Sequence, residues 1–437
     1  MKVLKFGGTS VGNAQRIKNV AKLVKERGKN IIVLSAMSGT TNTLVEISDY
    51  LYKKNLTGAK ETINMLESKY HQTIDELFES DFYKDQAKRA VADRFEFIRS
   101  FNKPVFTLFE EKEILAQGEL ISTILMYNLM LEMGMKVALL PALDFMRTDK
   151  NAEPDTQYIK EKLSILLEEN ADAEFYLTQG YICKNAYGEM DNLQRGGSDY
   201  TASLIGAAIN AEEIEIWTDI DGMHNNDPRF VENTKPVGEL HFEEAAELAY
   251  FGAKILHPTC VLPAKLNNIP VRLLNTMQPD KPGTLIYNTR STRKIKAVAA
   301  KDNIIAIKIK SSRMLLAYGF LRKVFEIFET HRTSIDMIVT SEVGVSVTVD
   351  NERNLPAILE DLKKFGTVTV DKDMVIICVV GDLEWQNRGF EAEVVNALKE
   401  IPIRMISYGG SNYNISLLVK KEDKVKALNL LSERIFD

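Results

Sequence analysis

Two glycine pairs each stand beside a cationic residue in this chain: Lys5-Phe6-Gly7-Gly8 near its start and Arg195-Gly196-Gly197-Ser198-Asp199 near its middle. Glycines at a strand-to-helix junction let backbone N–H groups come close to an anion, and the helix N-terminus adds positive potential. Lys5 would bring an ammonium group to phosphate oxygens. Arg195 offers a planar fork that matches a carboxylate, and Asp199 would orient a lysine or a metal. The first stretch is not a Walker A loop, because its lysine precedes the glycines, and it is not GxGxxG. The plain alternatives are a tight turn with an exposed lysine and a Ser or Asp N-cap with dipole compensation.

Other stretches add to this inventory. Gly118-Glu119 is expected to open an apolar helix (Leu120, Ile121, Ile124, Leu125), with Glu119 either receiving a substrate ammonium or stabilising a first turn. Thr41, after Gly39-Thr40, is a hydroxyl donor or a cap. Trp217-Thr218-Asp219-Ile220-Asp221-Gly222 ends a strand, where ligands of α/β sheets bind, and Asn226-Asp227-Pro228-Arg229 follows. Phe251-Gly252-Ala253-Lys254 supplies a further lysine, ahead of a structural His257. Lysines, arginines and carboxylates linked by glycine anion sites fit phosphoryl transfer to an acidic substrate.

The elements that must position these residues are legible too. A short strand is predicted at 3–6, a fully apolar one at 31–34 and largely apolar ones at 136–140, 174–178, 213–217 and 271–274, alternating with helices, which indicates a parallel or mixed α/β sheet. A helix is predicted over 13–26 and a helical excursion over 56–101. Pro279 to Lys294 reads as a linker. Beyond it a repeat emerges: Gly319-Phe320 with Val324 recurs as Gly389-Phe390 with Val394. The same offset aligns Ile335 with Met405, Ser341 with Ser411, and Val345-Ser346-Val347 with Ile415-Ser416-Leu417. Two copies of a βαββαβ-like unit explain it.

The chain has 437 residues, too many for one ordinary core, and its apolar (45%) and charged (27%) contents are those of globular domains. A net charge of −6 argues against a nucleic-acid surface. Three scattered cysteines, Cys183, Cys260 and Cys378, suit a reducing cytoplasm. Neither a membrane span nor a signal peptide is expected.

In this order the motifs resemble those of the aspartokinases, members of the amino-acid kinase superfamily, over nearly the whole chain. The resemblance rests on KFGGTSV (Lys5–Val11), SAMSGTTN (Ser35–Asn42), Gly118-Glu119 and RGGSDYTA (Arg195–Ala202). It continues through WTDIDG (Trp217–Gly222), Asp227-Pro228-Arg229 and FGAKILHP (Phe251–Pro258). It implies an αβα kinase domain over 1–290 and two ferredoxin-like ACT domains over 300–370 and 371–437, an arrangement open to intertwining of the two. It also implies ATP-dependent phosphorylation of the L-aspartate side-chain carboxylate, the first step toward lysine, threonine and methionine, with Mg²⁺ as cofactor. The rivals are a kinase of glutamate or N-acetylglutamate and a non-catalytic amino-acid sensor.

The same resemblance assigns roles. Lys5, Phe6, Gly7 and Gly8 would meet the ATP phosphates, and Thr218, Asp219, His224, Arg229 and Lys254 would surround the nucleotide. Aspartate would be held by Thr41, Glu119, Arg195, Gly196, Gly197 and Ser198. Lys5, Asp199 and Lys254 would form the catalytic centre, with no metal held by protein groups alone. The first ACT-like unit, with Met314, Gly319, Asp336, Thr340, Ser341 and Glu342, resembles the lysine-sensitive class and would bind inhibitory lysine. For Asp336 and Glu342 the alternative is a solvated loop. No homoserine dehydrogenase module is expected, and a cytoplasmic homodimer or dimer of dimers through the ACT domains is.

Overall fold

The computed structural model describes residues 1–103, 105–193, 196–252, 258–289, 294–311 and 318–436. Arg195, Lys254, His257 and Met314 therefore lie outside the described residues. The chain divides into two compact units, Met1–Met223 with Leu256–Asn288 and His224–Ile255 with Thr289–Asp437.

The first unit begins with β1 (Lys2–Phe6), α1 (Ala14–Glu26), β2 (Asn30–Leu34), α2 (Thr40–Tyr52), α3 (Leu56–Leu77), α4 (Asp81–Arg99) and α5 (Leu108–Glu132). It continues with β3 (Val137–Leu139), α6 (Ala142–Phe145), α7 (Thr156–Glu169), β4 (Phe175–Gln179), β5 (Ile182–Lys184), β6 (Met190–Asn192), α8 (Gly197–Ile209) and β7 (Ile214–Thr218). After β8 (Glu239–His241) and α9 (Phe242–Tyr250) of the second unit, the chain returns through α10 (Leu262–Leu266), β9 (Val271–Asn275) and β10 (Thr284–Tyr287).

In this unit the sheet runs β3-β4-β2-β1-β7-β9-β10. All pairings are parallel except that of β10 with β9. The chain leaves β1 toward β2 on one side and later reaches β7 on the other, so the topological switch point lies at the end of β1. Side chains alternate along β1. Leu4 and Phe6 join a core with α1 to α5, and Phe6 stacks on Trp217. Lys5 faces the side on which α8 packs. A capping box at Thr107, with Glu110 returning to the cap, starts α5. That helix is apolar and long enough to cross a bilayer by composition, and 78% of its apolar window is buried in the protein, as a core helix requires.

The predicted strands and helices fall on β1, β2, β3, β4, β7, β9, α1, α3 and α4 within a residue or two. Two expectations are corrected. The linker proposed over 279–294 contains β10, hairpinned on β9. Its Pro-Asp-Lys-Pro-Gly run makes the turn, and Gly283 is required there because a Cβ would meet the Leu273 carbonyl at 1.9 Å. Glu119 does not open its helix either; it sits deep inside α5, 4% exposed, because the capping box starts that helix at Leu108.

The second unit continues with β11 (Ile295–Lys310), α11 (Phe320–Thr330), β12 (Ile338–Ser341), β13 (Gly344–Val349), α12 (Leu355–Lys363) and β14 (Thr367–Gly381). It closes with α13 (Phe390–Ala397), β15 (Met405–Ser407), β16 (Asn414–Lys420) and α14 (Lys424–Leu431). Its antiparallel sheet runs β12-β13-β11-β14-β16-β15. The repeat is visible in it. Gly319 and Gly389 both adopt positive φ at the starts of α11 and α13, and β13 and β16 follow at matching distances. Two cores form. One takes Ile305, Ile307 and Ile309 with α11 and α12; the other takes Ile295 and Val298 with β14, α13, β16 and α14. The start of β11 thus belongs to the second core and its end to the first, and the two halves are intertwined. The boundaries 1–290, 300–370 and 371–437 follow function rather than compactness, since 224–255 clusters with the C-terminal unit; they remain our proposal.

Candidate active site

At the C-terminal ends of β1 and β2 the first unit holds a cavity of about 620 Å³. Its lining draws on segments far apart in sequence: Lys5 and Gly8, Ser35 to Gly39, Thr41 and Asn42, Glu119, Tyr181, Asn192, and Gly196 to Asp199. β1 delivers Lys5, whose Nζ lies 2.6 Å from Oδ1 of Asp199 in the first turn of α8. Both side chains are about nine-tenths buried (11% and 12% exposed), so each charge offsets the desolvation of the other.

Backbone contacts bring the walls together. Gly7 N–H donates to the Trp217 carbonyl (3.0 Å), and Ser38 N–H donates to the Gly8 carbonyl (3.1 Å). Gly8 has to be glycine because a Cβ would come 2.7 Å from the Ala36 carbonyl oxygen. Gly118 lets α5 approach the same loop, where a Cβ would sit 2.8 Å from that of Ala36. The cavity also receives two helix N-termini. α2 starts after Gly39 and α8 after Gly196, both glycines at positive φ. Together they make a site of positive potential with donors aimed inward.

Besides Asp199, the cavity has a second buried carboxylate, Glu119. Its Oε1 accepts the Ala36 N–H (3.2 Å), while Oε2 has no hydrogen-bond partner among the described residues. Burial pushes its carboxyl up from 4.5 to about 8, against the opposing pull of the Ala36 N–H and the Lys5 charge. A buried, half-satisfied carboxylate is suited to a ligand that brings its own positive charge.

Thus Lys5, Gly8, Thr41, Glu119, Gly196, Gly197, Ser198 and Asp199 meet at one cavity. Phe6 does not line it; its ring lies in the core, fully buried. Thr218 and Asp219 sit at the end of β7, hydrogen-bonded to each other (3.2 Å), outside this lining. His224 and Arg229 belong to the second unit, where His224 contacts Thr234 (2.8 Å) and Arg229 forks onto Asp227 (2.7 and 2.9 Å). Arg195 and Lys254 lie outside the described residues.

Sequence reasoning missed Tyr181 and Asn192. Tyr181 adopts φ +68°, its N–H donates to Thr201 Oγ1 (3.0 Å), and its ring takes the space that a Cβ on Gly197 would need (2.7 Å). The only local signal was Gly180, where a Cβ would collide with Ser198 at 2.6 Å. In the second unit, Asp336 is no solvated loop residue. Its side chain is 1% exposed and paired with Lys301 (2.7 Å), whereas Thr340, Ser341 and Glu342 are exposed.

Residues 1–275 match the model of the amino acid kinase family, and 377–435 match that of the ACT domain. Over 451 residues the chain is 32% identical to the lysine-sensitive aspartokinase 3 of Escherichia coli (strain K12), with 100% of this chain and 99% of that protein covered. The chain belongs to the aspartokinases, within the amino acid kinase family. The chloroplastic aspartokinase 3 of Arabidopsis thaliana is also 32% identical, over 468 residues covering 100% of this chain and 81% of that one. Among solved structures, E. coli aspartokinase III with aspartate and ADP (R-state) superposes with a TM-score of 0.85 at 31% identity, each chain covered in full. The same enzyme with lysine and aspartate (T-state) gives 0.83 at 31%, again with full coverage. The αβα kinase domain followed by ACT-type βαββαβ units is therefore the fold of an aspartokinase.

Proposed function

We propose that this chain transfers the γ-phosphoryl group of ATP to the side-chain carboxylate of L-aspartate, and that L-lysine restrains it. The observation that carries the reading is the single cavity at which Lys5, Gly8, Thr41, Glu119 and Gly196 to Asp199 converge. A relative aligned end to end with this chain has been solved with aspartate and ADP.

The nucleophile is a carboxylate oxygen of aspartate, ionised near neutral pH because such a group titrates at about 3.9. It attacks the γ-phosphorus, the bond to the β-γ bridging oxygen breaks, and ADP leaves with that electron pair. No general base is needed, so catalysis rests on positioning and charge neutralisation. Lys5 and the Gly8 backbone face the phosphates, Gly7 holds that turn through its N–H bond to the Trp217 carbonyl, and Asp199 holds the Lys5 ammonium in place. Glu119 takes the α-ammonium group, while Arg195, Thr41 and Ser198 read the carboxylates. Lys254, Thr218, Asp219, His224 and Arg229 complete the nucleotide side.

Mg²⁺ fits as a nucleotide-borne ion. Magnesium keeps several waters and takes one or two carboxylates besides phosphate oxygens, and the cavity lining offers Asp199, with no cluster of metal-ligating side chains among the described residues. When bound, it neutralises charge on the phosphates. Lysine would dock on the first ACT-like unit through Asp336, with Met314, Gly319, Thr340, Ser341 and Glu342 around it. A cytoplasmic homo-oligomer paired through ACT-like sheet edges completes the proposal.

A coupled assay of ADP release with ATP, Mg²⁺ and a panel of aspartate, glutamate and N-acetylglutamate tests this reading. Turnover is expected with aspartate. Turnover with glutamate alone, or amino-acid binding without ADP release, would overturn it. Graded lysine in the same assay tests the restraint, and flat activity to millimolar lysine would remove it.

A further inference from the structure

In the second unit four groups from four separate stretches of chain share one charge cluster. Lys301, on β11, places Nζ 2.7 Å from Asp336 Oδ1 and 3.1 Å from Asp350 Oδ2. The hydroxyl of Tyr250, the last residue of α9, donates to the same Asp336 Oδ1 at 2.7 Å. The Lys301 ammonium also stands over the Tyr250 ring, 4.5 Å from its centroid. Asp336 Oδ2 is buried with no hydrogen-bond partner among the described residues.

The backbone holds these parts at fixed places. Asp336 N–H donates to the Thr348 carbonyl (3.0 Å), which sets Asp336 beside β13, and Asp350 directly follows that strand. β11 pairs with β13 up to Ile305 and Val349, and its pairing with β14 shifts register between Lys301 and Ile304. Lys301 thus sits at a bulge between two carboxylates. Burial opposes its charge, and the hydrogen bonds and charges of Asp336 and Asp350 outweigh that, so its pKa lies above the ordinary lysine value.

An arriving ammonium can reach Asp336 only through the unpartnered Oδ2, and two ammonium groups on one carboxylate repel each other. Asp350, partly exposed, is the place for the displaced cation. We propose that Lys301 is a two-position latch: it competes with a ligand's ammonium for Asp336, and when the ligand binds it passes to Asp350 and releases Tyr250. Tyr250 is the last residue of α9, so the release acts on the C-terminal end of that helix. The inference rests on Asp336 being the effector carboxylate, and it adds the residue that opposes the effector and the route of its signal.

Titration calorimetry of L-lysine into the full chain tests it. Lys301→Met, which removes the competitor, should bind L-lysine about tenfold more tightly than wild type; Asp350→Asn, which removes the receiving carboxylate, should bind it more weakly by a similar factor. General damage would not give opposite signs. Lys301→Arg should follow wild type, and Lys301→Gln replaces Lys301→Met if that variant unfolds. Tyr250→Phe, which removes a hydrogen bond that binding must break, should bind lysine at least as tightly as wild type but lose at least half of the inhibition at saturating lysine. Equal or weaker lysine binding by a folded Lys301→Met overturns the latch. If wild type shows no binding, its appearance in Lys301→Met supports the latch and its absence overturns it. Equal lysine affinity in wild type and Asp336→Asn would instead remove the site itself, an outcome distinct from failure of the latch.

Discussion

Two buried carboxylates of the first unit lead opposite lives. Glu215, on β7 and fully buried, accepts from Lys2 (2.9 Å), Arg27 (3.0 Å) and the Trp217 indole N–H (3.0 Å). Arg27 also lies over the Trp217 ring, 5.0 Å from its centroid. Glu119, almost as buried, has one N–H donor and an oxygen without a partner among the described residues. A carboxylate that is fully paired within the protein serves the fold. One whose partner set is incomplete carries a desolvation penalty that an incoming ligand can offset. The two lysines divide likewise: Lys2 closes the start of the sheet, and Lys5 opens onto the cavity.

Breaking the cavity cluster should give the largest effect. Lys5→Ala is expected to lower kcat on the order of 10²–10³-fold, as for the loss of one preorganised electrostatic donor, whereas Lys2→Ala should leave kcat within about twofold, an effect far too small to matter beside the loss of such a donor. Steady-state kinetics of the two variants would erase the contrast if they came out alike.

Glu215→Gln should lower stability by about 3 kcal/mol, because Lys2 and Arg27 lose their shared counter-charge. Urea unfolding reads that loss, and both KM values should stay put. Glu119→Gln should do the reverse, raising the aspartate KM on the order of 10²-fold through loss of a buried charged partner, with little change for ATP. Arg195→Ala should likewise act on the aspartate KM; a raised ATP KM instead would move Arg195 to the nucleotide.

The smallest effect is a pH dependence. The Glu119 carboxyl is raised to about 8, so below that pH the folded protein holds a proton there that the unfolded chain has already lost above its ordinary 4.5. Its contribution therefore disfavours folding increasingly as pH rises from 4.5 to 8. A substrate ammonium requires the ionised form, so the aspartate KM should fall as pH rises toward 8, by at most about tenfold per unit. The ATP KM should not share that slope, and Glu119→Gln should flatten it.

Much of this contrast was legible from residues alone. Lys5, Gly8, Asp199 and the glycine pair before α8 were found by type and spacing, because an anion cradle needs small residues at a helix start. The strands were found because a sheet covered on both faces tolerates only apolar runs. What escaped depended on tertiary contact. Glu119 was read as a first-turn residue because Gly118 looks like a helix start, while the true start is set by Thr107 and Glu110. Tyr181 becomes a cavity wall only when the turn after β4 meets the start of α8. For Asp336 a solvated loop stayed open as the alternative because Lys301 and Tyr250, which pair with it, come from distant segments.

The shared strand β11 has a practical corollary. A fragment cut at residue 371 to isolate the last repeat would lack Ile295 and Val298, two of the side chains that fill its interior. Exchanging one regulatory half between relatives would likewise splice a single ribbon whose opposite ends answer to different neighbours. Grafts that carry 295–436 whole are the ones expected to refold, and a pull on either half is felt along the same length of backbone.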